Sequence, residues 1–216
     1  MKIRSVEELE QFLDDDFAWR RKELTSVFTN VQSSKYLQIK TSLRVGVVML
    51  YAHWEGFIKN AAEYYLIYVS TKRLNYSELT HNFIALSLKL KLTEFSQTNK
   101  NTVHTQMVSF LLGDLNQRAN IPTDNVIKTQ SNLNSDILRE ILSVIGVDYS
   151  HYELKEKLID SQLLKIRNTV AHGQDFEIDI PEFTILYNEI TSLMARFKND
   201  LSNCATLRTF IRQNIA

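Results

Sequence analysis

Val45-Gly46-Val47-Val48-Met49-Leu50-Tyr51-Ala52-His53-Trp54-Glu55-Gly56-Phe57-Ile58-Lys59 lies at the centre of a run from Lys35 to about Lys72 that contains no proline. Across that run Val47, Leu50, Tyr51, Trp54, Phe57, Ile58, Ala61, Tyr65 and Tyr68 recur at helical spacing and draw one broad apolar face. The spacing predicts a long, central, mostly buried helix. The whole composition points the same way: 5 Gly and 2 Pro in 216 residues leave few obligatory turns, which favours long helices and an all-α fold over a turn-rich β fold.

Working outward, Ser5 followed by Glu8 has the form of a capping box, and Val6, Leu9, Leu13, Leu24, Val27 and Val31 predict a first helix over about 6–31. C-terminal to the central run, residues 75–134 are ambiguous. Phe83 to Phe95 suit a helix, yet Leu86, Leu88, Leu90 and Leu92 alternate with period two; helix is favoured, and the segment reads as an insertion in a single domain over 1–216. Ile137, Leu138, Ile141, Leu142 and Ile145, closed by Gly146, predict a short helix with a glycine stop. Leu154, Leu158, Leu163, Ile166 and Val170 predict another from about Glu153 to His172, ending at Gly173. A last helix starts near Pro181, after Asp179, and runs through Phe183, Leu186, Ile190, Met194, Phe197 and Leu201.

Charge and cysteine content narrow the function classes. Lys plus Arg and Asp plus Glu are 25 each, so the net charge of zero gives no strong long-range pull on nucleic acid, and any RNA site must be local. Cys204, the single cysteine, cannot form an intramolecular disulfide, and no Cys/His cluster has zinc spacing. The longest uninterrupted apolar run, Val45 to Ala52, is too short to span a membrane, and Glu7, Glu8, Glu10 and Asp14 to Asp16 do not suit a signal peptide. These features predict a cytoplasmic protein with neither cofactor nor metal.

Ile166-Arg167-Asn168-Thr169-Val170-Ala171-His172-Gly173 carries the chemistry. A guanidinium is a permanent cation whose forked donors match phosphate oxygens, and an imidazole exchanges protons near neutral pH. Together they suit metal-free cleavage of an RNA phosphodiester, which needs a proton taken from the 2′-OH, a proton given to the leaving 5′-oxygen, and stabilised charge at phosphorus. The bare spacing of Arg167 and His172 recurs by chance in chains of this length and by itself also fits ordinary polar residues on a helix end. Five helical steps place the two about 140° apart, so one chain does not put both on one face. A stop at Gly173 frees His172 to turn outward at the negative end of the helix dipole, a setting that favours its charged form.

The extended segment Ile159 to Gly173, with its Arg-Asn-x-x-Ala-His-Gly core, resembles the motif-bearing helix of HEPN domains. Tyr51 to Lys59, with Trp54-Glu55-Gly56-Phe57, resembles the long second helix of a bacterial HEPN-like nuclease family, and Thr129 to Leu133 resembles its pre-motif segment. The resemblance implies an α-helical HEPN bundle, a homodimer that brings two Arg/His motifs together, and metal-independent endoribonuclease activity with Arg167 and His172 catalytic and Asn168 beside the arginine. It further implies a toxin or defence setting, with an antitoxin or regulatory protein as partner. Some HEPN domains bind nucleotides, RNA or partner proteins without cleaving, so fold alone does not establish activity.

Glu55 is the next candidate, as a carboxylate within a largely apolar helix requires a partner. Arg44 and Lys59 offer intrahelical pairing; the alternative is that Glu55 faces the motif helix and orients Arg167 or His172. His53 points elsewhere and reads as a core or interface histidine. Tyr51, Trp54, Phe57, Tyr64, Tyr65 and Tyr68 follow one face and read as core rather than a base-stacking surface. Lys128 and Lys165 are weaker RNA-contact candidates; Lys128, Thr129, Gln130 and Asn132 read first as a solvated loop.

Overall fold

The computed structural model describes residues 1–113 and 115–213, apart from the side chains at 90, 91 and 94, so Leu90 of the alternating leucines lies outside the described side chains. The fold is all-α, with no strand among the described residues and only two isolated bridges, Asn75 with Arg118 and Leu79 with Ile211. Three long helices form its frame: α1 (Val6–Gln32), α2 (Tyr36–Thr71) and α8 (Ile180–Thr206). Ser5 caps α1 by accepting from Glu8 N–H at 3.1 Å, but the Glu8 carboxylate turns to Arg4 N–H rather than to Ser5. The capping box at α8 is complete: Asp179 accepts from Glu182 N–H at 2.7 Å and Glu182 from Asp179 N–H at 3.1 Å.

The apolar face of α2 explains why it is central. Leu50, Trp54, Phe57, Ile58, Ala61 and Tyr65 have no exposed surface, and Phe57 packs against Phe17 of α1 and edge-on to Phe197 of α8. Two glycines let the neighbours come close. A Cβ on Gly46 would stand 2.8 Å from the Phe183 ring, and one on Gly56 would stand 2.6 Å from Arg20 Nη1. The Arg20 guanidinium occupies that space, bonded to Asp16 at 3.1 Å and to the His53 carbonyl at 3.4 Å, so a buried ion pair sits between α1 and α2 where a side chain on residue 56 would displace it.

The middle segment departs from the period-two pattern. It forms α3 (His81–Gln97) and α4 (Asn101–Gly113). Leu86 belongs to the main core, whereas Leu88 joins Tyr76, Met107 and Phe110 in a satellite cluster, so α3 is buried on two sides there and these two leucines alternate without a strand, while Leu92 is exposed. The remainder, 115–134, is irregular rather than helical. Ala119 N–H bonds the Leu74 carbonyl near the C-terminal end of α2, and Leu133 N–H reaches Tyr51, so this loop runs antiparallel to α2. Buried Ile121, Ile127 and Leu133 fasten it.

The helix expected from Glu153 to His172 is not continuous. A short α6 (Ser150–Glu153) ends at an exposed Leu154; a π-helical stretch, Leu158–Leu164, follows and passes into α7 (Lys165–Ala171). In an α-helix Leu164 would lie about 140° from Ile159, but i→i+5 winding brings residues five apart to nearly the same face, and both are buried. Asp160 anchors the stretch by accepting from Ser135 N–H at 2.7 Å and Ser135 Oγ–H at 2.6 Å, at the start of α5 (Ser135–Ile145). Gly146 and Gly173 adopt φ +71 and +70 and close α5 and α7 in left-handed stops.

Candidate functional site

Arg167 projects from α7 toward α2 and lies over Tyr51, with its guanidinium carbon 3.9 Å from the ring centroid. Its Nη1 donates to Asn168 Oδ1 at 2.7 Å and its Nη2 to the Ser131 carbonyl at 2.7 Å, while Glu55 Oε2 stands 4.0 Å from Nη2. Asn168 in turn donates to Asn132 Oδ1 at 3.2 Å. The arginine is therefore oriented by three elements: its own helix, α2 and the 115–134 loop. The loop reaches it through an unusual turn, since Gln130 and Ser131 both have positive φ, 54 and 55, a conformation that costs side-chain-bearing residues free energy and is typical of positions that aim a group at a site.

Tyr51 completes the floor. Its hydroxyl accepts from Leu133 N–H at 2.6 Å, and burial together with the Glu55 carboxylate pushes its phenol up to about 12. It stays neutral across the physiological range and serves as a platform, not as a base. Glu55 does not pair within its own helix. Arg44 instead donates to the Gln174 carbonyl at 2.8 Å and stands 4.0 Å from Asp175, which Lys40 also holds at 2.6 Å. These contacts tie the chain just beyond His172 to α2.

His172 is the residue at which α7 ends. His172, Gly173 and Gln174 N–H bond the carbonyls of Asn168, Val170 and Thr169, closing the helix and leaving the imidazole exposed, without a hydrogen bond or ion pair to any described residue. Arg167 is part-buried and pinned inward, whereas His172 faces outward; the structure does not bring their side chains together within one chain. Lys128 and Lys165 are exposed, and neither contacts Arg167. His53 is buried in a separate polar cluster, 3.0 Å from Glu23 and edge-on to Trp19. Burial pushes its imidazole below the usual range, against the attraction of Glu23.

Sequence reasoning missed Tyr51, Ser131 and the Asp16–Arg20 pair. Tyr51 lies one turn before Glu55, so the i, i+4 relation could have placed it beside any partner of that carboxylate. Ser131 contributes a main-chain oxygen, which leaves no mark on a sequence. Among the described residues no group of three or more His, Cys, Asp and Glu side chains gathers to hold a metal ion, and no helix is long and apolar enough to cross a membrane.

The family model of RiboL-PSP-HEPN matches residues 15–203, which include α2, the loop turn and α7. The chain is also similar, at 26% identity over 167 residues, to the DNA primase small subunit PriS of Methanococcus maripaludis; the match covers 76% of this chain and 41% of that protein, so the chain spans less than half of that relative's length. No solved structure matches the chain.

Proposed function

The chain belongs to the RiboL-PSP-HEPN family, and from that premise and the surroundings of Arg167 we propose that it is a metal-independent endoribonuclease that works as a homodimer. The observation that carries the reading is the motif itself: a guanidinium held over Tyr51 by Asn168, Ser131 and Glu55, with an imidazole at the helix end five residues on that no described residue engages. A guanidinium fixed in this way meets a phosphate with its orientation already set, so little ordering is needed as charge builds at phosphorus. In the reaction the ribose 2′-oxygen attacks phosphorus while a base takes its proton. The P–O5′ bond breaks as an acid protonates the 5′-oxygen, leaving a 2′,3′-cyclic phosphate and a 5′-OH. His172 is the proton-transfer group, and its symmetry mate supplies the second one. A small nuclease of this kind suits a toxin or defence effector restrained by an antitoxin or other regulatory protein.

The test is cleavage of mixed RNA by wild type and His172→Ala in excess EDTA, with the ends mapped. Wild type should cut and leave cyclic phosphate, and the variant should be slower by about 10² to 10⁴-fold, the usual worth of a general acid or base. Equal cutting at matched helical content removes the catalytic assignment, and recovery of an EDTA-blocked reaction with Mg²⁺ or Mn²⁺ replaces the mechanism with a metal-dependent one.

The second reading is a HEPN module that binds a nucleotide, RNA or protein without cleaving it. One observation favours it: several of the Arg167 donors already face groups of its own chain, as they would if the arginine served chiefly to pin α7 to α2 and the loop.

A further inference from the structure

A concavity distinct from the Arg167 site lies further along α2. It is an open groove of about 1070 Å³ bounded by the start of the chain, the C-terminal half of α2 and residues 118–125 of the loop. Five cationic side chains line it, Lys2, Arg4, Lys59, Arg73 and Arg118, against two carboxylates, Glu63 and Asp124. All five are exposed, and none forms an ion pair within 4 Å with a described residue. In a chain whose 25 basic and 25 acidic residues cancel, five cations against two carboxylates in one concavity, none in an ion pair with a described residue, make a locally positive, anion-attracting field.

Two walls connect this groove to Arg167. On α2, Lys59 is one turn beyond Glu55, and Glu63 and Ile67 continue at the same interval into the groove. The loop that lines the groove with Thr123, Asp124 and Asn125 continues past exposed Lys128 to the Ser131 carbonyl that holds Arg167. Among the described residues no aromatic side chain lines the groove, so they offer charge but no stacking platform. The groove's volume of about 1070 Å³ is comparable to a single large ligand site, which suits a short length of one strand's backbone.

We infer that this groove is the extended seat of the substrate strand: it holds the phosphates of single-stranded RNA, without regard to base, on the side of the scissile bond that runs along α2 away from Arg167. The inference rests on the endoribonuclease reading for what is cut, but the binding it asserts can be measured without cleavage. A labelled ten-nucleotide 2′-O-methyl RNA, which lacks the attacking hydroxyl, is titrated with the full chain by fluorescence anisotropy from about 50 to 200 mM salt. The comparison is with the triple variant Lys59→Ala, Arg73→Ala, Arg118→Ala, whose three sites are exposed and whose fold is checked by circular dichroism.

Each phosphate contact to a single strand contributes about 0.7 to the slope of log K against log salt, so losing three should flatten the slope by about 2 and weaken binding most at low salt. Oligomers of different sequence should bind alike. On the cleavage side, the variant should cut the ten-nucleotide RNA more slowly while cutting a dinucleotide at the wild-type rate. An unchanged slope and affinity in the variant overturns the groove even if RNA is cut; absence of cleavage with a flattened slope overturns the nuclease reading and leaves the groove standing. Equal binding of a duplex, or of a mononucleotide as tightly as the ten-mer, overturns the single-strand assignment.

Discussion

A guanidinium carries five N–H donors, and at Arg167 their allocation separates holding from catalysis. One Nη1 hydrogen goes to Asn168 and one Nη2 hydrogen to Ser131, while Nε is buried without an acceptor. The second hydrogens of Nη1 and Nη2 have no hydrogen bond to a described residue, with Glu55 Oε2 4.0 Å from Nη2, and in the proposed reaction they are the donors that would meet the phosphate. Arg167→Lys keeps the cation but loses the forked donors that reach Asn168 and Ser131 together from above Tyr51. It should bind a non-cleavable RNA within a few-fold of wild type and cut at least about 100-fold more slowly, the usual loss when an oriented donor to the transition state is removed. Single-turnover cleavage and anisotropy on the same preparation separate the two quantities. A lysine variant that cuts like wild type would mean that charge alone suffices and that the clamp around the guanidinium is structural.

At the scale of elements, the site depends on the π-helical stretch that precedes it. Winding fixes the phase of everything downstream: one residue more or less rotates α7 by about 100° and takes Arg167 off Tyr51. Asp160 holds the stretch through two hydrogen bonds to Ser135, and its charge also sits at the positive end of α5. Asp160→Ala should lower stability by about 2–4 kcal/mol, from the loss of charge-assisted bonds, and should reduce cleavage further than stability alone explains; Asp160→Asn, which keeps an acceptor, should be milder on both. Thermal melts and cleavage rates below the melting range test this, and a variant with both unchanged would show that α7 keeps its phase without the anchor. Such an anchor spans 25 residues of sequence, which is why the sequence reads as one helix from Glu153 to His172. What is local was legible: the faces of α1, α2 and α8, the Ser5 cap, the start of α8 near Pro181, and the stops at Gly146 and Gly173. What depends on tertiary contact was not. The two-sided burial of α3, the π-winding, the tyrosine under the arginine and the main-chain oxygen of Ser131 all exist only once distant segments meet.

For the whole molecule the question is where a second proton-transfer group comes from. One protomer offers a single imidazole at the motif, while the proposed reaction requires one group to remove a proton and another to donate one. In the proposed homodimer a two-fold axis near the end of α7 would supply both from one sequence, because an isologous interface repeats each residue on the opposite side. The surface beside the motif has the character such an interface needs. A cavity of about 270 Å³ lies between α2 and α7, lined by Thr41, Arg44, Val45, Val48, Met49 and Val170, and Leu37, two turns before Val45, is 91% exposed. Large apolar side chains gathered next to a site mark a surface that meets a partner. Val45, 53% exposed, is the place to break it without disturbing the core. In Val45→Asp each dimer would bury two unpaired carboxylates, at a cost of several kcal/mol that the isolated chain does not incur. Light scattering at micromolar concentration should then show a dimer for wild type and a monomer for the variant, with equal helical content and melting of the monomer, and RNA cleavage should fall together with the dimer. Wild-type protein that is monomeric in conditions where it cuts RNA, or a Val45→Asp monomer that cuts at the wild-type rate, would place both proton transfers within one chain and remove the reason for the second His172.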